Sequence, residues 1–488
     1  MSGPTHFIGI AGTAMATLAA MLKARGVDVQ GSDHGIYPPM SDFLAREGIR
    51  TFDGYRAGQI TGDLETVIVG NAISRGNPEL EEVLDRKIRF QSLPEAIRDR
   101  FLWNARSVVV AGTHGKSTTT ALTGWLLTAC GRDPSVLIGG ISVNFDSSYR
   151  LGGGREFVIE GDEYDSAFFD KTAKFLKYLP DIAIVGNLEY DHADIYPDMD
   201  ALRLAFRRFV NLVPRNGRLV LGADSPEALA LASAARSAVV TFGEAPESDW
   251  RAAEIRPDGE HMMFELTVQG SPQGHIRVPL YGRHNVRNVL AAMAAGDAAG
   301  LSVDEMRRAL LEFRGVRRRL ERRGAARGVT VYDDFAHHPT AILETLRAVR
   351  WSWPERRIWA VFEPRSATSC RRVFQHDFAR AFAESGADEV VLASVFRTTL
   401  PDDQRLDVDE LVEEVSAAGR LRASAPASQG VRARHLGEVD AIVRTIAAEA
   451  REGDVVVVMS NGGFGGIHEK LLTALERPAP SEPGESGG

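Results

Sequence analysis

The chain has 488 residues, 44% hydrophobic and 25% charged, and a formal charge of −9 at pH 7 from 57 Lys and Arg against 66 Asp and Glu. That length exceeds one hydrophobic core and predicts roughly two to four domains of ordinary globular composition. The acidic balance argues against general affinity for nucleic acid or anionic membranes. No apolar run reaches the roughly 18 residues of a membrane helix, and no basic segment followed by a long apolar stretch opens the chain. Cys130 and Cys370 lie far apart with no metal-type spacing, which predicts a reducing, cytosolic setting rather than a disulfide scaffold or a zinc site.

Three successive blocks read as alternating strand and helix, the pattern of parallel α/β sheets. The first, 1–104, opens with a strand at His6–Ile10, turns at Gly9-Ile10-Ala11-Gly12, and continues as a helix from about Ala14 to Arg25. A second strand, Val27–Gln30, ends at Gly31-Ser32-Asp33, and Val67–Val69 is a third. The turn resembles a dinucleotide fingerprint whose middle glycine is Ala11, with Asp33 placed as a ribose ligand would be. An ordinary strand–helix turn fits the same residues.

The second block, 105–320, begins with a strand at Ser107–Ala111 that feeds Gly112-Thr113-His114-Gly115-Lys116-Ser117-Thr118, followed by a helical run from Thr119 to Ala129. Glycines let backbone N–H groups close around phosphates, the lysine reaches the outer phosphates, and the hydroxyl after it can hold Mg²⁺. The helix dipole adds positive potential beneath them. The spacing is shorter than the common form, with Val110 where an earlier glycine would stand.

Further along this block, the strand Phe157–Ile159 leads into Glu160-Gly161-Asp162-Glu163-Tyr164-Asp165, a set of hard oxygen ligands at a strand's carboxyl end. Ile182–Val185 leads into Asn187, Asp191 and His192. Arg218–Leu221 is another strand, and Met262–Val268 reads as antiparallel. Asn285 and Asn288 share a face of the helix that starts after Gly282, where carboxamides suit an adenine edge or an N-cap.

The third block, 321–476, has strands at Val329–Tyr332, Ile358–Phe362, Glu389–Leu392 and Val455–Met459. Asp333–Pro339, Glu363–Thr368 and Ser460–His468 follow three of them and predict one ligand-facing edge. Residues 477–488, rich in Pro, Ser, Glu and Gly, read as a disordered tail.

Taken in order, these segments resemble the Mur ligases, the ATP-dependent amide ligases of peptidoglycan metabolism. The resemblance runs from about His6 to Leu475 and rests on the short Gly-Thr-x-Gly-Lys-Ser loop, the Glu160–Asp165 cluster, Asp191-His192, His284-Asn285 with Asn288, and Asp333–Pro339. It implies three domains: a Rossmann-like first domain, a central ATPase-type parallel sheet with a phosphate loop, and a Rossmann-like C-terminal domain.

Residue by residue, the resemblance implies that Gly112–Thr118 bind ATP and that Asn285 and Asn288 read adenine. Ser117, Glu163 (with Glu160 as the alternative) and His192 would hold Mg²⁺, and Lys116, Glu163 and His192 would carry catalysis. Gly12, Thr13, Ser32, Asp33 and Asn71 would bind a UDP-sugar, with His337 and Arg365 on the acceptor side. No lysine occurs between Lys177 and Lys470, so the carbamoylated lysine some members use has no counterpart.

Ser366 and Ser369 stand where the L-alanine-adding branch is expected to carry arginines. That departure, with Ser460–His468, favours the branch joining a free murein tripeptide to UDP-N-acetylmuramate, the L-alanine ligase being the alternative. A nicotinamide dehydrogenase would leave the phosphate loop unexplained. A nucleotide-gated binding protein would not need the metal-type cluster.

Overall fold

In the computed structural model, residues 3–38, 40–191, 195–396, 400–423 and 430–476 are described. His192 and the tail from 477 onward lie outside them. Among the described residues no helix is long and apolar enough to cross a membrane, and Cys130 and Cys370 are not joined in a disulfide.

Three sheets follow one another along the chain. The first has the order Arg50–Asp53, Val29–Asp33, Thr5–Ile8, Thr66–Val69, Phe90–Ser92, all parallel. Its second strand runs through Gly31 to Asp33, further than the glycine suggested. A Cβ on Gly31 would sit 2.7 Å from the Phe7 carbonyl oxygen and from Ile10 Cδ1, so here glycine permits close strand packing rather than ending the strand. The edge strands Arg50–Asp53 and Phe90–Ser92 are short and half-exposed, and they give no buried apolar run to read.

The central sheet is built on Arg106–Ala111, which lies between the parallel strands Ile182–Val185 and Glu156–Glu160. Val108, Val109 and Val110 are buried on both faces, as a central parallel strand requires. Helix Lys116–Ala129 packs on this sheet. It starts at Lys116, three residues earlier than expected, so the phosphate-loop lysine and Ser117 form its first turn. Two of its buried threonines satisfy their hydroxyls along the helix: Thr120 Oγ1 donates to the Lys116 carbonyl and Thr123 Oγ1 to that of Thr119, each at 2.8 Å. An antiparallel meander, Trp250–Asp258, His261–Val268 and Ser271–Val278, extends one end of the sheet.

The third sheet has the order Glu321–Ala326, Val329–Asp334, Val455–Met459, Ile358–Phe362, Glu389–Ala393, Arg432–Gly437, parallel except for its first strand. Asp333 and Asp334 are the last strand residues rather than the start of the loop. The carboxyl ends of three adjacent strands therefore deliver the Asp334–Pro339, Glu363–Thr368 and Ser460–His468 loops side by side.

The domains touch through specific side chains. Phe101, in the turn that leaves the first sheet, packs on Phe157 of the central sheet at a ring separation of 5.9 Å. Asn71 Nδ2 donates to Asp165 Oδ1 at 3.0 Å. Between the second and third domains, Arg287 pairs with Glu344 at 2.9 Å, and a Cβ on Gly282 would lie 2.6 Å from that of Ala348.

Candidate active site

The phosphate loop closes through two glycines in the left-handed region, Gly112 at φ 127° and Gly115 at φ 80°. A Cβ on Gly112 would meet the backbone of Gly186 and Asn187, and one on Gly115 would overlap Asn288 Oδ1. Asn187 ties the loop down, its Oδ1 accepting from the His114 amide at 2.8 Å and its Nδ2 donating to the His114 carbonyl at 3.1 Å.

Lys116 Nζ is folded back into this loop. It donates to the Gly112 carbonyl at 2.8 Å and meets both Glu163 oxygens at 2.9 and 3.0 Å. Burial pulls its pKa down, but Glu163, Asp162 and Glu160 outweigh burial and raise it, so Lys116 stays cationic. Ser117 Oγ donates to Glu160 Oε1 at 3.1 Å, and the other Glu160 oxygen accepts the Gly139 amide at 2.7 Å. Burial, then Asp162, push the Glu160 carboxyl up. The carboxylate on Ser117 is thus Glu160, the alternative of the two expected, while Glu163 sits on the lysine.

Asn285 and Asn288 do share a helix face, Asn288 Nδ2 donating to Asn285 Oδ1 at 3.0 Å. Asn285 Nδ2 in turn donates to the Tyr281 carbonyl at 2.8 Å. His192 lies outside the described residues. Its neighbour Asp191, 4% exposed, accepts from Thr368 Oγ1 of the third domain at 2.6 Å.

In the first domain, Gly12 is the N-cap of helix Thr13–Ala24. Asp33 Oδ2 accepts the Ala11 amide at 2.8 Å, and Asp33 Oδ1 accepts Tyr55 Oη at 2.8 Å. Thr13, exposed, opens the helix beside this turn. Ser32 does not join them, because its hydroxyl is fully buried against Glu79, which also binds His6 Nε2 at 3.1 Å. Asn71 is at the strand ends too, but its amide is committed to Asp165.

On the third domain, the Arg365 guanidinium stacks on Phe396, 3.6 Å from the ring centroid, above Gly462, where a side chain would collide with it. Ser460 Oγ donates to Glu363 Oε2, and Ser366 Oγ to Ser369 Oγ at 2.9 Å. His337 Nδ1 lies 3.0 Å from the Phe335 carbonyl, and burial lowers its pKa to about 4.

The residues not singled out in the sequence are those at the junction of the second and third domains. Arg319 Nη2 donates to Ser117 Oγ at 3.2 Å, while its neighbour Arg318 donates through Nη2 to the carbonyls of Ser460 at 2.6 Å and Gly462 at 2.7 Å. Glu189 accepts Thr340 Oγ1 at 2.6 Å. The arginine-rich run Arg317–Arg323 was the available signal, but it reads as part of the chain's general preference for arginine.

Family models match in three successive stretches. Residues 4–100 match the Mur ligase family catalytic domain, 110–296 the Mur ligase middle domain, and 318–462 the Mur ligase glutamate ligase domain. The chain is 41% identical to UDP-N-acetylmuramate–L-alanyl-gamma-D-glutamyl-meso-2,6-diaminoheptandioate ligase of Escherichia coli K12, over 97% of this chain and 98% of that protein. It is 35% identical to UDP-N-acetylmuramate–L-alanine ligase of Salinibacter ruber, over 96% of this chain and 94% of that one. The crystal structure of a murein peptide ligase from Psychrobacter arcticus superposes with a TM-score of 0.70 at 35% identity, covering 98% of this chain and 100% of that one. The chain belongs to the Mur ligase family of ATP-dependent amide-bond-forming ligases.

Proposed function

We propose that this protein joins the free peptide L-alanyl-γ-D-glutamyl-meso-diaminopimelate to UDP-N-acetylmuramate, consuming ATP and releasing ADP and phosphate, as a step of peptidoglycan recycling. The observation that carries this reading is the pair Arg318 and Arg319. These consecutive side chains bind the acceptor-side loop at Ser460 and Gly462 and the phosphate-loop hydroxyl of Ser117. A site assembled that way suits a reaction in which a group activated on one domain meets an amine held by the next. The sequence relationship to the tripeptide ligase supports the choice of acceptor.

In the chemistry of this family, ATP phosphorylates the lactyl carboxylate of the sugar nucleotide, the peptide amine attacks the acyl phosphate, and phosphate leaves. The amine is the nucleophile, so the chain's own work is positioning and charge neutralisation. Lys116 and the loop amides hold the outer phosphates, the first-domain turn with Asp33 holds the UDP moiety, and Asn285 and Asn288 read the adenine. Arg365, with Glu363 beside it at 3.6 Å, offers the acceptor peptide one cation and one carboxylate. The third domain reaches Asp191 and Glu189 beside the phosphate loop, and its closure there would exclude water from the intermediate.

The Ser117 hydroxyl and the Glu160 and Glu163 carboxylates form an all-oxygen donor set suited to Mg²⁺. Bound there, Mg²⁺ would neutralise phosphate charge. ADP release with UDP-N-acetylmuramate, measured against tripeptide and against L-alanine, tests the reading. Release dependent on both the sugar nucleotide and the tripeptide is expected. Stimulation by L-alanine alone would move the chain to the alanine branch.

A further inference from the structure

Three side chains distant in sequence meet where the third domain rests on the phosphate loop. His114 comes from the loop, Glu189 from the segment after strand Ile182–Val185, and His338 from the N-cap of helix Pro339–Ser352. One potential ligand atom from each lies within 4.8 Å of the others. His114 Nε2 is 3.3 Å and His338 Nδ1 3.9 Å from the same oxygen, Glu189 Oε2. The two imidazole rings lie with centroids 4.7 Å apart and planes inclined at 44°. Phosphate binding uses the main chain of His114 and leaves its ring without a role.

The cluster does not satisfy itself. His338 is 6% exposed, and its Nε2 has no hydrogen-bond partner. Its Nδ1 has only the Thr340 amide, at a long 3.3 Å. Burial, and then His114, lower the His338 pKa to about 4, so the ring is neutral and able to donate a lone pair. Burial opposes ionisation of Glu189, but the hydrogen bond and charge of His114 prevail and lower it to about 2. Two imidazoles and one carboxylate are a donor set for Zn²⁺ or Co²⁺ with one position left for water, whereas Mg²⁺ prefers oxygen throughout. Nitrogen and oxygen ligands about 2 Å from a tetrahedral ion sit roughly 3.3 Å apart. The His114–Glu189 pair already has that spacing, and His338 Nδ1 lies 3.9 Å from the same oxygen.

We propose that His114, Glu189 and His338 form a binding site for a first-row transition-metal ion, Zn²⁺ foremost, that fastens the third domain onto the phosphate loop. The site is separate from the oxygen ligands around Ser117. Two of its ligands belong to the central domain and one to the third, so an ion there ties the two domains together.

The test uses the full-length protein, chelator-stripped and free of nucleotide and substrates, titrated with Co²⁺. One equivalent is expected to bind with the strong visible absorption of low-coordinate, histidine-ligated cobalt, to be displaced by Zn²⁺, and to resist excess Mg²⁺. Zn²⁺ is expected to raise Tm. His114→Asn and His338→Asn are each expected to weaken that binding by at least about 100-fold, more than loss of an outer-shell partner costs, and to abolish the Tm rise. Asparagine at 338 still caps the helix. His275→Asn, on an exposed strand position, is expected to match the unmodified protein. Equal Co²⁺ binding by both cluster variants, no visible band, or displacement by Mg²⁺ would each overturn the site. Because no substrate is present, failure here leaves the ligase reading standing, and the converse holds.

Discussion

The first two domains each make a strand–glycine turn–helix cradle. In the first domain the turn is held by the chain's own anion, Asp33 accepting the Ala11 amide and the Tyr55 hydroxyl. In the central domain the turn carries a cation, Lys116, with the carboxylates Glu160 and Glu163 beside it. The shared backbone unit supplies amides and a helix dipole to either ligand. On the proposed reading, the difference between a grip on a sugar nucleotide and a site that transfers phosphate lies in the side chains delivered by neighbouring strand ends.

The contrast breaks most sharply at Lys116. Lys116→Ala is expected to reduce ligation by at least ~10³-fold, as removal of a main electrostatic contact to a transition state does. Binding of UDP-N-acetylmuramate, measured calorimetrically, should stay near normal. Because this change strips the cation from beside the buried Glu163, the Lys116→Ala/Glu163→Gln pair checks that folding survives. Full activity in either variant would remove the phosphate loop from the mechanism.

Asp33→Ala is the counterpart. It should weaken UDP-sugar binding by ~10–100-fold, the worth of hydrogen bonds to a charged acceptor, and leave ATP affinity unchanged. Loss of ATP affinity would mean that the two cradles are not independent.

The two turns also differ at the glycine that caps each helix. Gly115, at φ 80° with Asn288 against it, should not accept a side chain, so Gly115→Ala is expected to cost about 1–3 kcal/mol of stability in denaturant titrations. Gly12, at φ −63° with nothing nearer than 3.6 Å to a Cβ, should tolerate alanine within about 0.5 kcal/mol before ligand is added.

A smaller, distributed effect separates the regions by pH. Burial lowers His284 to about 3 and His337 and His338 to about 4, from 6.5. The unfolded chain then binds protons that the folded chain does not, so stability falls as pH drops from 6.5 towards 3, most of it above 4, and this contribution levels off below that. Tm measured from pH 7 to 4.5 should fall less steeply in His338→Asn than in the unmodified protein. An unchanged slope would show that His338 titrates normally.

What could be read from the sequence was local. A strand, a glycine loop and Lys116-Ser117 are contiguous, and the carboxyl-end position of Glu160–Asp165 follows from the parallel-sheet pattern. Asn285 and Asn288 were visible because a helix repeats over three to four residues. The meeting of His114, Glu189 and His338 was not, since it depends on how one domain closes on another. Nor was the placement of Ser32, whose alternation in the strand aims it inward at Glu79. Gly31 misled for a related reason: its lack of a side chain serves the neighbouring strand, information that no local window contains.

The Lys116–Glu163 clasp has one further consequence. Lys116 and Glu163 neutralise each other within the loop, so on the proposed reading nucleotide enters by exchange, its outer phosphates taking the lysine from the carboxylate. A lone orthophosphate, offering little beyond the anion it would displace, competes poorly for such a partner. A triphosphate brings an adenine and further oxygens to the contest, so the loop screens for its cargo before any other domain has moved.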